Sequence, residues 1–257
     1  MDRRSVALVT GASGGLGLEF AKLLAGGGHD LALIARSGSK LEAIADVLRG
    51  TFGINVECVT MDLSAPGAAS ALFDRVPDCD VLVNNAGFAN NGRFAEIAEQ
   101  QIRDEVNLDV VTLTELTRRY LPAMLERKRG WILNVASTAA FLPGPLMAVY
   151  YASKAYVLSF SEALWEETRG SGVSVTCLCP GATKTGFQAR ADVQSTPIMR
   201  LPQADAAKVA KAGYEAMLKG QRVVVPGFSN KLVAFSPRIT PRRVLLTMSR
   251  KAVERPD

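Results

Sequence analysis

Short runs rich in β-branched and other apolar residues recur along this chain, at Val6 to Thr10, Leu31 to Ala35, Val56 to Met61, Val81 to Asn84, Trp131 to Ala136, Val173 to Leu178 and Val223 to Val225. Stretches of helical periodicity separate them, and that alternation is the mark of βαβ units and a parallel sheet. The runs lack a polar alternate face, as strands covered by helices on both sides require. The expected fold class is therefore α/β: a doubly wound, mostly parallel sheet in three layers. After the first run Leu16, Phe20, Leu23 and Leu24 recur at helical spacing, and Gly26-Gly27-Gly28 ends that helix. A long helical pattern from about Ile102 to Arg127 carries Val106, Val110, Leu113, Leu116, Leu121 and Leu125 on its apolar side, and another runs from Tyr150 to Gly170. The stretch from Gly181 to Pro202 has turn residues and little period, which points to a binding loop at about 183–202. No repeat or linker divides the chain, so 1–257 is expected to be one domain, ending in a basic tail at about 228–257.

A hydrophobic fraction of 48 % fits a folded, enzyme-like body. Cys58, Cys79, Cys177 and Cys179 form no C-x-x-C pair, and the only histidine is His29, so no metal site is expected. Thiols used as small hydrophobes suit a reduced, cytoplasmic setting. No apolar run approaches the roughly 20 residues that cross a bilayer. Met1-Asp2-Arg3-Arg4 and the apolar residues after it run straight into a glycine cluster, so this start reads as a first strand instead of a signal peptide.

That cluster places Gly11, Gly15 and Gly17 between a strand and an amphipathic helix. Glycine lacks the Cβ that would hold a pyrophosphate away from backbone amides, and the helix points its positive end at the phosphates. Further on, Tyr150 and Lys154 stand four apart, on one helix face. A nearby ammonium stabilises phenolate, so the Tyr150 pKa is expected to fall below about 10 and make it a usable acid or base. Tyr151 competes, but four residues beyond it stands Ala155. Ser137 follows Ile132-Leu133-Asn134-Val135-Ala136 at the carboxyl end of a strand, the edge where open α/β sheets bind ligands. Its hydroxyl could polarise a carbonyl.

Thr10-Gly11-Ala12-Ser13-Gly14-Gly15-Leu16-Gly17, then Asn84-Asn85-Ala86-Gly87, then Ser137, Tyr150 and Lys154 stand in the order and spacing of the short-chain dehydrogenase/reductase family, which the chain resembles from about Ser5 to Thr185. The resemblance implies a Rossmann fold and a nicotinamide cofactor held by Gly11, Ser13, Gly15, Leu16 and Gly17. It further implies that Asp62, in Met61-Asp62-Leu63, hydrogen-bonds the adenine beside Leu63, and that Asn84, Ala86 and Gly87 shape the adenosine site. It makes Asn107 a helix-kinking residue that holds a relay water. In reduction Tyr150 would protonate the substrate oxygen, Ser137 would polarise it, and Lys154 would bind the nicotinamide ribose and tune Tyr150. Cys179-Pro180-Gly181-Ala182-Thr183-Lys184-Thr185 resembles the family's motif at the nicotinamide end, which assigns Pro180, Gly181, Thr183 and Thr185 to the cofactor. The family often assembles as dimers or tetramers.

At the end of the second strand, where an acid would accept from the ribose 2′-hydroxyl, this chain has Ala35-Arg36. A guanidinium there can pair with a 2′-phosphate, so NADP(H) is the expected cofactor. Gly14 stands at the other position where the family often carries a basic residue. Phe187 to Leu201, Ala139 to Met147 and Phe88 to Phe94 hold few acids, so a hydrophobic carbonyl compound or alcohol is expected as the small-molecule substrate. The competing reading is a non-catalytic Rossmann module that senses dinucleotide. The net charge is +5, with Lys231, Arg238, Arg242, Arg243, Arg250, Lys251 and Arg255 gathered late. In the tail Leu245, Met248 and Ala252 can share a helix face while arginines occupy another, a pattern compatible with a membrane surface or another subunit; a core-covering terminal helix is the plainer and preferred reading. Without interleaved aromatics, no nucleic-acid role is expected.

Overall fold

The computed structural model describes residues 4–200 and 202–255. Met1, Asp2 and Arg3 of the strand-or-leader stretch, Leu201 of the binding loop and the last two tail residues lie outside the described residues. Seven strands form one sheet: β1 (Val6–Thr10), β2 (Asp30–Ala35), β3 (Val56–Thr60), β4 (Val81–Asn84), β5 (Gly130–Val135), β6 (Val173–Leu178) and β7 (Val223–Val224). Their order is β3-β2-β1-β4-β5-β6-β7, and every pairing is parallel. This is the doubly wound parallel sheet that the alternation predicted, in the Rossmann-like form that the resemblance implied.

Helices α1 (Gly15–Gly26), α2 (Gly38–Phe52), α3 (Ala68–Arg75), α4 (Glu99–Val106), α5 (Leu113–Glu126), α6 (Ala148–Glu167), α7 (Phe187–Arg190), α8 (Ala206–Leu218), α9 (Phe228–Phe235) and α10 (Arg242–Val253) complete the chain. Strand side chains alternate between two cores. Ala7, Val9, Leu31, Leu33, Val81 and Val83 pack with Phe20, Leu24, Leu41 and Met217 on one face. Leu8, Ala32, Ile34 and Leu82 pack with Leu72, Leu116, Tyr120 and Met124 on the other. Both faces are dry, which is why the strands read as continuous apolar runs. Each fully buried large side chain contributes about 1.5–3 kcal/mol of hydrophobic stabilisation.

The single long helix expected from about Ile102 to Arg127 is broken in phase. A π-helical stretch, Asn107–Thr112, separates α4 from α5. The extra residue per turn rotates α5 relative to α4. The buried face of α5 therefore becomes Leu113, Leu116, Thr117, Tyr120 and Met124, while Val106 and Leu125 of the expected apolar side are exposed. The stretch expected to be irregular contains α7 and a 3-10 turn, Pro197–Arg200. Beyond it lies α8, whose N-terminal Asp205 side chain accepts from the Lys208 amide at 3.1 Å.

Candidate active site

The sheet reverses its strand order between β1 and β4, where open α/β sheets form their binding crevice. Thr10 ties the two strand ends together. Its hydroxyl donates to the Val83 carbonyl at 3.2 Å and accepts from the Asn85 and Ala86 amides, each at 2.9 Å. The Asn85 side-chain amide donates to the carbonyls of Thr10 and Gly11 at 2.9 and 3.3 Å. Above this brace Gly11 and Gly15 adopt φ of 68° and 55°, the left-handed region that favours glycine. A Cβ on Gly17 would lie 2.2 Å from the Gly11 carbonyl oxygen, and one on Gly15 would lie 3.0 Å from the Thr185 side chain. The first turn of α1 has no side-chain cap, so its orphan N–H groups remain available to an anion. A glycine cradle at an uncapped helix N-terminus fits a pyrophosphate.

From this cradle a cleft of about 680 Å³ runs in both directions. Gly11, Gly15, Leu16, Arg36, Asp62, Leu63, Ala86, Gly87, Ser137, Tyr150, Lys154, Pro180, Gly181, Thr183 and Thr185 all line it. Four residues expected at the site do not. Gly17 is buried by its approach to Gly11 and acts in packing, and Ser13 lies outside the lining. Asn84 is turned into the protein, where its amide donates to Thr117 Oγ1 at 3.1 Å and Asn134 Oδ1 at 2.9 Å. Its neighbour Asn85 has the place in the cleft wall, because successive strand residues point to opposite faces. Asn107 opens the π-helical stretch, a helix irregularity where the resemblance implied a kink, but does not line the cleft.

At one end Arg36 Nη1 stands 4.0 Å from Asp62 Oδ2, both side chains about half exposed. Burial would raise the Asp62 carboxyl. The Ser64 hydroxyl and amide, donating at 2.7 and 3.0 Å, and then the guanidinium groups of Arg36 and Arg190 outweigh it and hold Asp62 below its ordinary value. Arg190, from α7, went unnoticed in the sequence because it belongs to a loop of little period. It lines the cleft, with its guanidinium 4.4 Å from the Phe88 ring centroid.

At the centre the Ser137 hydroxyl, which shares the cleft lining with the Tyr150 phenol, accepts from the Ala139 amide at 3.1 Å and donates to the Pro180 carbonyl at 3.5 Å. Lys154 Nζ lies 5.6 Å from the Tyr150 ring centroid and donates to the Val135 carbonyl at 3.3 Å. The expectation that Tyr150 would be acidified is corrected. Burial raises its pKa, and the Lys154 ammonium and the Ser137 hydroxyl oppose that rise without reversing it. Tyr151 is buried against Gly144, its pKa pushed up to about 12 by burial.

Beneath Lys154 lies a carboxylate pair that the sequence motifs did not reveal. Asp109 Oδ2 sits 3.1 Å from Lys154 Nζ, with both side chains almost wholly buried, while Asp109 Oδ1 accepts from the Phe88 amide at 3.2 Å. Burial would lower Lys154, but Asp109 and the phenol offset it and hold the ammonium above its ordinary value. One helical turn earlier Glu105 is buried too. It accepts from the Asn90 side chain and amide at 2.6 and 3.3 Å, and burial pushes its pKa up to about 7. The visible signal was the i, i+4 spacing of two acids beside Asn107, which reads equally as a solvated face until tertiary packing covers it.

The other end of the cleft is apolar, lined by Leu142, Met147, Val193, Ile198 and Met199 and closed by Leu245, Ala252 and Val253 of α10. Phe141, Leu146 and the segment from Phe88 to Phe94, expected near the substrate, are not among the lining residues. Among the described residues no helix is long and apolar enough to cross a membrane.

Comparison with known proteins agrees with this geometry. The family model described as short chain dehydrogenase matches residues 5–195. A very-long-chain 3-oxoacyl-CoA reductase of Phaeosphaeria nodorum is 34% identical over 184 residues, covering 68% of this chain and 54% of that protein, so the chain spans about half the length of such relatives. The ketoacyl reductase HetN of Nostoc is 34% identical over 212 residues, covering 80% of this chain and 74% of that protein. A short-chain dehydrogenase from Sphingobium yanoikuyae, solved in complex with NADPH, superimposes with a TM-score of 0.81 at 32% identity, covering 87% of this chain and 88% of that one. One from Burkholderia phymatum, in complex with NAD, gives a TM-score of 0.81 at 27% identity, covering 92% of each chain. With the glycine cradle at the strand-order reversal and Ser137, Tyr150 and Lys154 gathered in one cleft, the chain belongs to the short-chain dehydrogenase family of oxidoreductases.

Proposed function

We propose that this protein is an NADP(H)-dependent oxidoreductase that interconverts a carbonyl and a secondary alcohol on an apolar substrate. The observation that carries the reading is the convergence of the Ser137 hydroxyl, the Tyr150 phenol and the Lys154 ammonium at the junction of a glycine-lined arm and an apolar arm of one cleft. The nicotinamide, when bound, supplies or accepts hydride. Gly11, Gly15 and the N-terminus of α1 would hold its pyrophosphate, and Thr185 would close over the cradle.

The raised pKa of Tyr150 keeps its proton on the phenol at neutral pH, the state a general acid needs at the start of reduction. Ser137 donates toward the same oxygen position and stabilises negative charge as it develops. Lys154, kept cationic by Asp109, lowers the cost of the phenolate left once the proton has gone. Arg36, with Arg190 nearby, supports a preference for the 2′-phosphate, because no acid stands at the end of β2 to accept from a 2′-hydroxyl. The apolar arm supports a hydrophobic substrate.

Tyr150→Phe tests the assignment. NADPH binding, followed by quenching of protein fluorescence, is expected to persist while reduction of a panel of ketones falls by at least about a hundredfold. A variant that keeps near-native turnover removes Tyr150 as the acid.

A further inference from the structure

The formal net charge of the whole chain, +5, is carried by its last thirty residues: 228–257 hold seven Lys and Arg against two acids, and 1–227 balance. The same segment exposes apolar surface. Eight of the sixteen large hydrophobic side chains exposed among the described residues fall between Phe228 and Met248. Phe228, Leu232, Phe235 and Ile239 succeed one another at spacings of four, three and four, a single helical stripe from α9 into the 3-10 turn Ser236–Arg238 and its end. The two ends of that stripe are 77% and 74% exposed, so the protein covers neither.

Of the seven cations, Arg250 pairs with Glu254 and Arg255 with Asp192, and the Arg238 guanidinium lies 5.6 Å over the Phe235 ring of the stripe. Lys231, Arg238, Arg242, Arg243 and Lys251 form no ion pair with another described residue, and all five are exposed. On α10 the division of labour is plain. Leu245, Ser249 and Val253 turn inward at i, i+4 and i+8, whereas Val244, Leu246 and Met248 stay exposed. The helix thus covers the cleft and keeps a second, exposed apolar surface. Val233 of α9 and Met248 of α10 are exposed and also line the cleft, so the apolar arm opens within this segment.

We propose that α9, the 3-10 turn and α10 form a peripheral docking surface for anionic lipid, with the mouth of the substrate cleft set in it. An exposed apolar stripe in a segment that also carries exposed cations free of ion pairs is the pattern that enters the headgroup boundary of a negatively charged bilayer. Charge decides against a second copy of the chain as occupant: a two-fold contact through this face would set the unpaired cations of each tail against those of the other. Placing the mouth there lets an apolar substrate dissolved in lipid enter the cleft without crossing water. That last consequence rests on the apolar substrate proposed above, whereas the docking itself does not.

The test is sedimentation of the full-length protein, without substrate or cofactor, with vesicles of phosphatidylglycerol or of phosphatidylcholine at low and high salt. Binding is expected with phosphatidylglycerol and is expected to weaken with salt. Arg242→Glu/Arg243→Glu and, separately, Phe228→Ser/Ile239→Ser are each expected to weaken it by at least about tenfold. Unchanged far-UV circular dichroism and unchanged turnover of a water-soluble ketone in both variants would show that the fold and the cleft are intact. The proposal is overturned if the protein does not sediment with phosphatidylglycerol, if it binds both vesicles equally at high salt, or if both variants bind as the parent does. It is also overturned if light scattering shows an oligomer that Phe228→Ser/Ile239→Ser dissociates while no vesicle binding is found. Because sedimentation is read without turnover, failure here leaves the oxidoreductase assignment standing, and failure of that assignment leaves the docking result intact.

Discussion

Replacing Glu105 by Gln should stabilise this protein at pH 8 and leave it almost unchanged at pH 4.5. Glu105 is 1% exposed, Asn90 donates twice to one of its oxygens, and the other oxygen has no hydrogen-bond partner. Its pKa rises from 4.5 to about 7, first through burial and then through the Asp109 carboxylate, against the Asn90 donors and the Lys154 ammonium. Between those two values the folded state holds a proton that the unfolded chain has already released. Stability therefore falls as pH rises through this window, is free of the penalty below the unfolded pKa, and carries all of it above the folded one. A shift of this size corresponds to at most about 3 kcal/mol. Gln keeps an acceptor for Asn90 and never ionises, so the variant should lack the slope. Urea denaturation of both proteins at pH 4.5, 6 and 8 measures it. The expected gain in unfolding free energy is near zero at the first pH and about 2–3 kcal/mol at the last. A gain or loss that is the same at all three would refute the buried, proton-holding carboxyl.

Three further outcomes are expected. Asp109→Asn removes the carboxylate paired with the buried Lys154 ammonium. The unpaired charge should cost about 3–5 kcal/mol, and burial should then lower the Lys154 pKa, moving the alkaline limb of the turnover profile to lower pH; an unmoved limb would sink the idea. Arg36→Ala should weaken NADPH by about 10- to 100-fold, the worth of a charge-assisted hydrogen bond, and leave NADH little changed, read from kcat/KM with each cofactor. Gly17→Ala sets a methyl 2.2 Å from the Gly11 carbonyl oxygen, which is backbone and cannot swing aside. It should destabilise the fold by about 1–3 kcal/mol and weaken NADPH binding, and native stability with native affinity would contradict the packing role.

The strand runs, their parallel pairing and the spacings Gly11 to Gly17 and Tyr150 to Lys154 were legible in the chain itself, because each depends on a local period or a short turn: two for strands, 3.6 for helices, glycine where no Cβ fits. The same local logic failed where a distant partner decides. Tyr150 was expected to be acidified by the ammonium one turn away, yet the mass of protein around the phenol outweighs that charge. Asn84 and Asn85 are indistinguishable in sequence, and only the register of β4 against β5 turns Asn84 toward Asn134 and leaves Asn85 in the cleft wall. Glu105 and Asp109 read as a solvated helix face until the π-helical stretch and α6 bury them beneath Lys154. The tail's charge could be counted from the residues alone. Which of its apolar side chains cover the cleft and which face outward depends on how α10 packs across the fold, since burial is a property of three-dimensional neighbours that no spacing along one chain contains.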